Sequence, residues 1–116
     1  MITVYGIPNC DTVKRARAWL TEQGLAYQFH DFKKSGVPPA ELAAWCEQLG
    51  WERVLNRAGT TWRKQGEADR AAVVDSASAQ ALLLREPSAI KRPVVRWGDG
   101  RWSIGFSAAQ FAELIS

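Results

Sequence analysis

The sequence predicts a single α/β domain with a mixed sheet, on three observations. A strand, a helix and a second strand follow one another at the N-terminus with short joints. A Gly-Asp-Gly turn joins two β-rich stretches near the C-terminus, ahead of a last helix. The apolar spacing between these two blocks is helical. The strand–helix–strand unit implies a parallel pair with a right-handed crossover, and the hairpin adds an antiparallel pair. The expected sheet is therefore four-stranded and mixed, with an all-helical insertion over about 37–88 between its βαβ and ββα halves.

Ile2 to Tyr5 alternates apolar and polar residues and is rich in β-formers, so it is the first strand, broken by Gly6 and Pro8. From Cys10 to Gln23, Val13, Ala16 and Leu20 recur at helical spacing, and Gly24 supplies a stop. Tyr27 to Phe32 is the second strand. Pro38 and Pro39 open a helix whose Leu42, Trp45, Cys46 and Leu49 fall on one stripe, with Gly50 at its end. Trp51 to Asp75 holds two pieces, around Val54-Leu55 and Ala71-Val74. Ser78 to Arg85 is a further helix facing inward with Ala79, Leu82 and Leu83. Pro93 to Trp97 and Arg101 to Phe106 flank the hairpin turn at Gly98-Asp99-Gly100. Ser107 to Gln110 matches a capping box, and the final helix buries Phe111, Leu114 and Ile115.

At 116 residues, 47% apolar and 23% charged, the chain has an ordinary globular composition. No apolar run approaches the ~20 residues of a membrane span, and MITVYG lacks the layout of an export signal. The formal charge of +3 suits small anionic ligands better than nucleic acid, which calls for a clustered basic stripe. Two cysteines are too few for a disulfide framework. A reduced, cytoplasmic protein is expected.

Cys10 carries the sharpest chemistry. It stands between a strand and a helix, where unpaired backbone N–H groups and the helix dipole favour a thiolate. Lys14 and Arg17, one and two turns on, add positive charge on the same side. Such a thiol is either a nucleophile or a small hydrophobe packed at a turn. A C-x-x-C pair would need a cysteine where Val13 stands, so a resolving thiol has to come from outside, with glutathione the obvious candidate. A tyrosine-phosphatase loop needs an arginine where Ala16 stands, and Arg15 misses it by one. Cys46 shares the apolar stripe of its helix and reads as a core thiol, although pairing with Cys10 stays open. His30, the single histidine, reads as a surface or edge residue. No zinc set and no nucleotide loop is present.

Arg92-Pro93 opens the third strand. In the trans form it is a plain strand start. In the cis form its neighbours' main-chain groups turn outward and can pair with an extended peptide. Arg57 and Arg63, around Gly59-Thr60-Thr61-Trp62, are either carboxylate ligands or solvated cations. The tryptophans read as core or half-buried groups.

Three segments carry a family resemblance: Tyr5 to Ala16 (YGIPNCDTVKRA), Asn56 to Arg63 (NRAGTTWR) and Ile90 to Val95 (IKRPVV). In order and spacing over nearly the whole chain, the sequence resembles the arsenate reductase (ArsC)/Spx family, and within it the YffB-like branch. The resemblance implies a thioredoxin-like core with a helical insertion, and a cis Arg92-Pro93 beside the nucleophile. In the family's glutathione/glutaredoxin-coupled arsenate reductases, a cysteine at the place of Cys10 attacks arsenate among three arginines. Arg92 matches the second, Asn56 or Arg57 the first, and the third falls near Gly105 and is missing. Spx-type regulators bind RNA polymerase and carry a C-x-x-C switch, which Val13 abolishes.

The resemblance therefore implies a glutathione-dependent thiol/disulfide oxidoreductase, with arsenate reduction or an Spx-like protein-binding role as alternatives. It assigns Cys10 as nucleophile, with Lys14 lowering its pKa. Asn9, Arg57, Arg92, Pro93 and Val94 are the expected glutathione-binding residues. Glutathione is the expected co-substrate, with no metal or nucleotide cofactor. The partner is a small-molecule or protein disulfide; no membrane or nucleic acid is expected, and RNA polymerase is the lesser alternative.

Overall fold

A computed structural model describes all of residues 1–116. Four strands, β1 (Ile2–Gly6), β2 (Tyr27–Asp31), β3 (Val94–Arg96) and β4 (Trp102–Ile104), form one sheet in the order β2-β1-β3-β4. β1 runs parallel to β2 and antiparallel to β3, and β3 runs antiparallel to β4. This is the expected mixed α/β sheet. The chain divides into two compact units: Met1–Ser35 with Arg92–Ser116, and Gly36–Lys91.

In the sheet-bearing unit, helix α1 (Asp11–Glu22) turns Val13, Ala16 and Leu20 inward. Gly6 does not break β1 as expected; it is the strand's last residue and pairs with Asp31. A Cβ at Gly6 would meet Val13 Cγ2 at 2.9 Å, so the missing side chain is what lets α1 follow the strand so closely. β2 ends one residue earlier than expected. Asp31 Oδ1 accepts the Lys33 N–H at 2.8 Å, and this turn starts a short helix, α2 (Phe32–Ser35).

The core of this unit holds Ile2, Val4, Ala16, Leu20, Val95, Trp97 and Phe111. Phe111 is the hub: Trp19, Trp97 and Phe106 meet its ring edge-on at centroid distances of 5.6, 4.9 and 4.8 Å. Trp97 is buried because its indole Nε1–H has a partner, donating to Ser103 Oγ at 2.9 Å.

β3 and β4 are shorter than the expected 93–97 and 101–106. Gly100 and Gly105, at φ 90° and 77°, turn the chain at both ends of β4. The last helix, α8 (Ala108–Ile115), is capped by Ser107 Oγ, which accepts the Gln110 N–H at 3.1 Å. The box is only half made, since the Gln110 side chain donates to the Ile104 carbonyl instead. Phe111 is fully buried, Leu114 half-buried, and Ile115 is 42% exposed, against expectation, at the chain's last turn.

The second unit is helical throughout: α3 (Pro39–Trp45), a π turn (Cys46–Gly50), α4 (Trp51–Val54), α5 (Thr60–Arg63), α6 (Glu67–Ala71), α7 (Ser76–Arg85) and a 3₁₀ turn (Pro87–Ala89). Gly50, expected as a helix end, bends the chain at φ 90° and four more helical residues follow. α7 packs on α3, on the π turn and on α4. It starts two residues before Ser78 because Asp75 caps it. Asp75 Oδ1 accepts the Ser78 N–H at 2.9 Å, and Ser78 Oγ accepts the Asp75 N–H at 3.1 Å. The expected piece at Ala71-Val74 stops at Ala71, and Val74 is 71% exposed. A bridge between Leu55 and Ile90, with the Lys91 N–H donating to the Val54 carbonyl at 2.7 Å, ties the end of the unit to α4.

Candidate functional site

Cys10 occupies the N-cap of α1, with extended backbone angles of φ −142° and ψ 123°. Its carbonyl accepts the Lys14 N–H at 2.9 Å, which leaves the side chain at the helix mouth beside the N–H groups of the first turn. The thiol is half-buried. Burial, the largest influence, pushes its pKa up. The Val13 N–H, the Arg92 side chain (by hydrogen bond and by charge) and the Thr12 N–H together outweigh burial, and the thiol lies below its ordinary value. The half-buried sulfur is thus poised toward the thiolate by peptide dipoles and one guanidinium.

That guanidinium corrects the sequence expectation. Lys14 was expected to lower the thiol's pKa, but the cation acting on the sulfur is Arg92, and the Lys14 side chain is exposed one turn along. Arg17, expected to add charge near Cys10, is engaged at the sheet edge instead. Its Nε donates to Tyr27 Oη at 3.1 Å, and its guanidinium lies 4.1 Å from the Phe29 ring centroid. Sequence spacing alone ranks Lys14 first because Arg92 is 82 positions away. The β1–β3 pairing of Tyr5 with Val94 is what draws the residues preceding β3 toward the strand that leads to α1.

The Arg92-Pro93 peptide bond is cis, as the resemblance implied. Pro93 and Val94 are both buried and belong to the sheet more than to an open edge. The Pro93 carbonyl accepts the Gly105 N–H at 2.9 Å, and Val94 lies in register between Tyr5 and Ile104. Arg92, which precedes them, is half-buried. Asn9, just before Cys10, is exposed.

Arg57 belongs to the helical unit, where it is exposed and lies 5.5 Å from the Trp51 ring centroid. Asn56 sits over Gly59, where a Cβ would meet its Nδ2 at 2.8 Å, and its N–H donates to the Ala89 carbonyl at 2.8 Å. Arg63 is exposed, and its carbonyl accepts from Arg70 at 3.4 Å. Gly105, near which the resemblance puts the family's third arginine, is held in the left-handed region, where an arginine is strained.

Cys46 is 3% exposed in the helical unit, and burial pushes its thiol up while the Ser76 hydroxyl partly offsets this. His30 lies in the edge strand β2, its ring 5.2 Å from Tyr5 and 5.9 Å from Phe32. No cluster of His, Cys, Asp and Glu has the size to hold a metal, and no helix is long and apolar enough to cross a membrane.

The chain and its fold have counterparts among known proteins. Residues 5–114 match the model of the ArsC family. A solved structure of a YffB protein superposes with a TM-score of 0.94 at 47% identity, covering 100% of both chains. An arsenate reductase (ArsC) related protein from Brucella melitensis is also 47% identical, with a TM-score of 0.75 over 99% of this chain and 94% of that one. The global transcriptional regulator Spx of Streptococcus agalactiae is 26% identical over 118 residues, 99% of this chain and 83% of its own. The fold is thioredoxin-like, and thiol-based reductases and Spx-type regulators are the two functional kinds that this kinship brings together. On the match along nearly its whole length, the chain belongs to the ArsC family.

Proposed function

We propose that the protein is a glutathione-dependent thiol/disulfide oxidoreductase with one nucleophilic cysteine. The observation that carries this reading is the Cys10 sulfur: half-buried at the start of α1, with Arg92 against it and a thiol pKa below the ordinary value. A thiolate so placed attacks the glutathione sulfur of a mixed disulfide R–S–S–G. The Cys10–S–S–G bond forms, the RS–SG disulfide bond breaks, and RS⁻ leaves and takes up a proton. A second glutathione thiolate then attacks the glutathione sulfur on Cys10, which frees the Cys10 thiolate and yields oxidised glutathione. Two electrons reach the R sulfur, and both glutathiones leave as one disulfide. With Val13 at the place of a C-x-x-C partner, the resolving thiol comes from outside the chain.

In this reading Arg92 has two parts, favouring the thiolate through its side chain and offering main-chain groups to the extended tripeptide. Asn9, exposed beside Cys10, is assigned a contact to the same tripeptide, and Lys14 adds positive potential in place of direct pKa control. Pro93 and Val94 support the segment from within the sheet. Arsenate reduction is the weaker reading, because the site lacks a third arginine and Gly105 has a backbone ill suited to supply one.

The test is exposure to oxidised glutathione, followed by intact mass and peptide mapping. One glutathione adduct on Cys10, removed by reduced glutathione and absent in Cys10→Ser, is the expected result. No adduct on Cys10 overturns the reading.

A further inference from the structure

The chain's positive charge is unevenly placed. The sheet-bearing unit holds eight Lys and Arg against five Asp and Glu, while the helical unit has seven of each. The whole formal charge of +3 thus resides in the unit that carries Cys10.

Apart from Lys33 and Lys34 in α2, and Arg92 at Cys10, the cations of that unit fall into two groups. Arg101 is tied to Asp99 at 2.6 Å and donates to the Leu114 carbonyl, Arg17 is held at the β2 edge, and Arg96 lies over Trp102. Lys14 and Arg15 are exposed and form no ion pair, the Arg15 guanidinium lying 5.9 Å from the Phe106 ring centroid. They sit four and five residues into the chain from Cys10, on the first turns of α1. At 1.5 Å of rise per residue this places their Cα atoms about 6–8 Å along the helix from Cys10, inside a physiological Debye length. Arg92 lies against the sulfur, and Lys14 and Arg15 stand one turn and more along the helix that Cys10 caps. Asp11, the one acidic residue of α1's first turn, opposes them.

An ionised sulfur adds one negative charge to this surround, and Arg92 offsets it. Lys14 and Arg15 then outweigh Asp11, in a unit that is positive overall. An approaching disulfide meets this field before any contact forms, and the field acts chiefly on the rate of encounter.

We propose that Cys10 selects anionic disulfides, carrying carboxylates near the scissile S–S bond, over neutral and cationic ones. This inference rests on the thiol/disulfide reading above and deepens it by naming the charge class of the oxidised substrate. The step is the same exchange: Cys10 sulfur bonds to one substrate sulfur, and the other leaves as a thiolate.

The experiment uses three disulfides of like size: dianionic 3,3′-dithiodipropionate, neutral bis(2-hydroxyethyl) disulfide and dicationic cystamine. The Cys10 reaction rate with each is divided by the rate of 2-mercaptoethanol with the same compound, which removes intrinsic reactivity. At about 20 mM salt the normalised rate for the dianion is expected to exceed that for the dication about five-fold or more. At about 1 M salt the ratio is expected to fall toward one. Arg15→Glu is expected to reduce the low-salt ratio several-fold and Asp11→Asn to increase it, each checked for a wild-type circular dichroism spectrum. A low-salt ratio within about two-fold of one, a preference for cystamine, or a ratio unmoved by salt overturns the charge inference while leaving the exchange reading standing. Failure of Cys10 to react with any of the three overturns the exchange reading, and this inference with it.

Discussion

Gly6 and Val13 are packed so closely that a single methyl group on the glycine would stand 2.9 Å from Val13 Cγ2. Val13 is fully buried and cannot swing away. The contact joins the end of β1 to the first turn of α1, and Cys10 lies between the two residues. The position of the sulfur over the helix mouth is thus fixed by a glycine four residues before it.

Gly6→Ala is therefore expected to destabilise the protein by about 1–3 kcal/mol, the usual cost of overpacking. Urea unfolding with an unchanged slope measures this. The same variant should also slow alkylation of Cys10 at neutral pH, because pushing α1 away moves the Val13 and Thr12 N–H groups from the sulfur. A variant as stable as the wild type, with the same alkylation rate, would show that the contact relaxes freely.

Ser103→Ala tests the polar link in the core. Ser103 is 5% exposed, and its hydroxyl accepts the Trp97 indole N–H at 2.9 Å. Removing it leaves a buried donor without its acceptor, at an expected cost of about 1–3 kcal/mol. Thermal unfolding of Ser103→Ala against Ser103→Thr, which keeps the hydroxyl, separates this loss from changes in volume.

Much of this was legible in the sequence, and the misses share a physical cause. The strand–helix–strand start, the Gly-Asp-Gly hairpin and the inward stripes of α1 and α7 depend on local periodicity, which sequence displays directly. The cation at Cys10 depends on strand pairing. Lys14 looked right because it is near in sequence, whereas the paired register Tyr5 with Val94 explains why Arg92 matters more. Pro93 and Val94 were expected to face a ligand, but the Pro93 carbonyl is already taken by Gly105, a contact with no local signature. The weakly periodic stretch after Trp51 resolved into helices of four or five residues, too short to show a stripe. The half-made box at Ser107 follows from a tertiary choice by Gln110, whose side chain reaches the Ile104 carbonyl.

The two cysteines should give opposite dependences of stability on pH. Burial raises the Cys46 thiol pKa, so the unfolded chain releases this proton first as pH rises. Its contribution is complete below the ordinary thiol pKa and declines as pH climbs toward the raised folded value. Cys10 has a lowered thiol pKa, so its contribution is complete above the ordinary value and is lost as pH falls through the lowered one. Denaturation of Cys46→Ala and Cys10→Ser against wild type, from mildly acidic to strongly alkaline pH, should show the wild-type advantage shrinking above the ordinary thiol pKa for the first variant, and for the second growing below that value and levelling off above it. Parallel curves for both would contradict the assigned directions.

The rate of Cys10 alkylation by iodoacetamide as a function of pH is the most direct measurement. Performed on Cys46→Ala, it reports one thiol. The rate is expected to rise with a midpoint below that of a free thiol, near ~8.5, and to move upward in Arg92→Ala but little in Lys14→Ala. A midpoint at or above the free-thiol value, indifferent to Arg92, would contradict the claim that peptide dipoles and this arginine hold the sulfur ready to react.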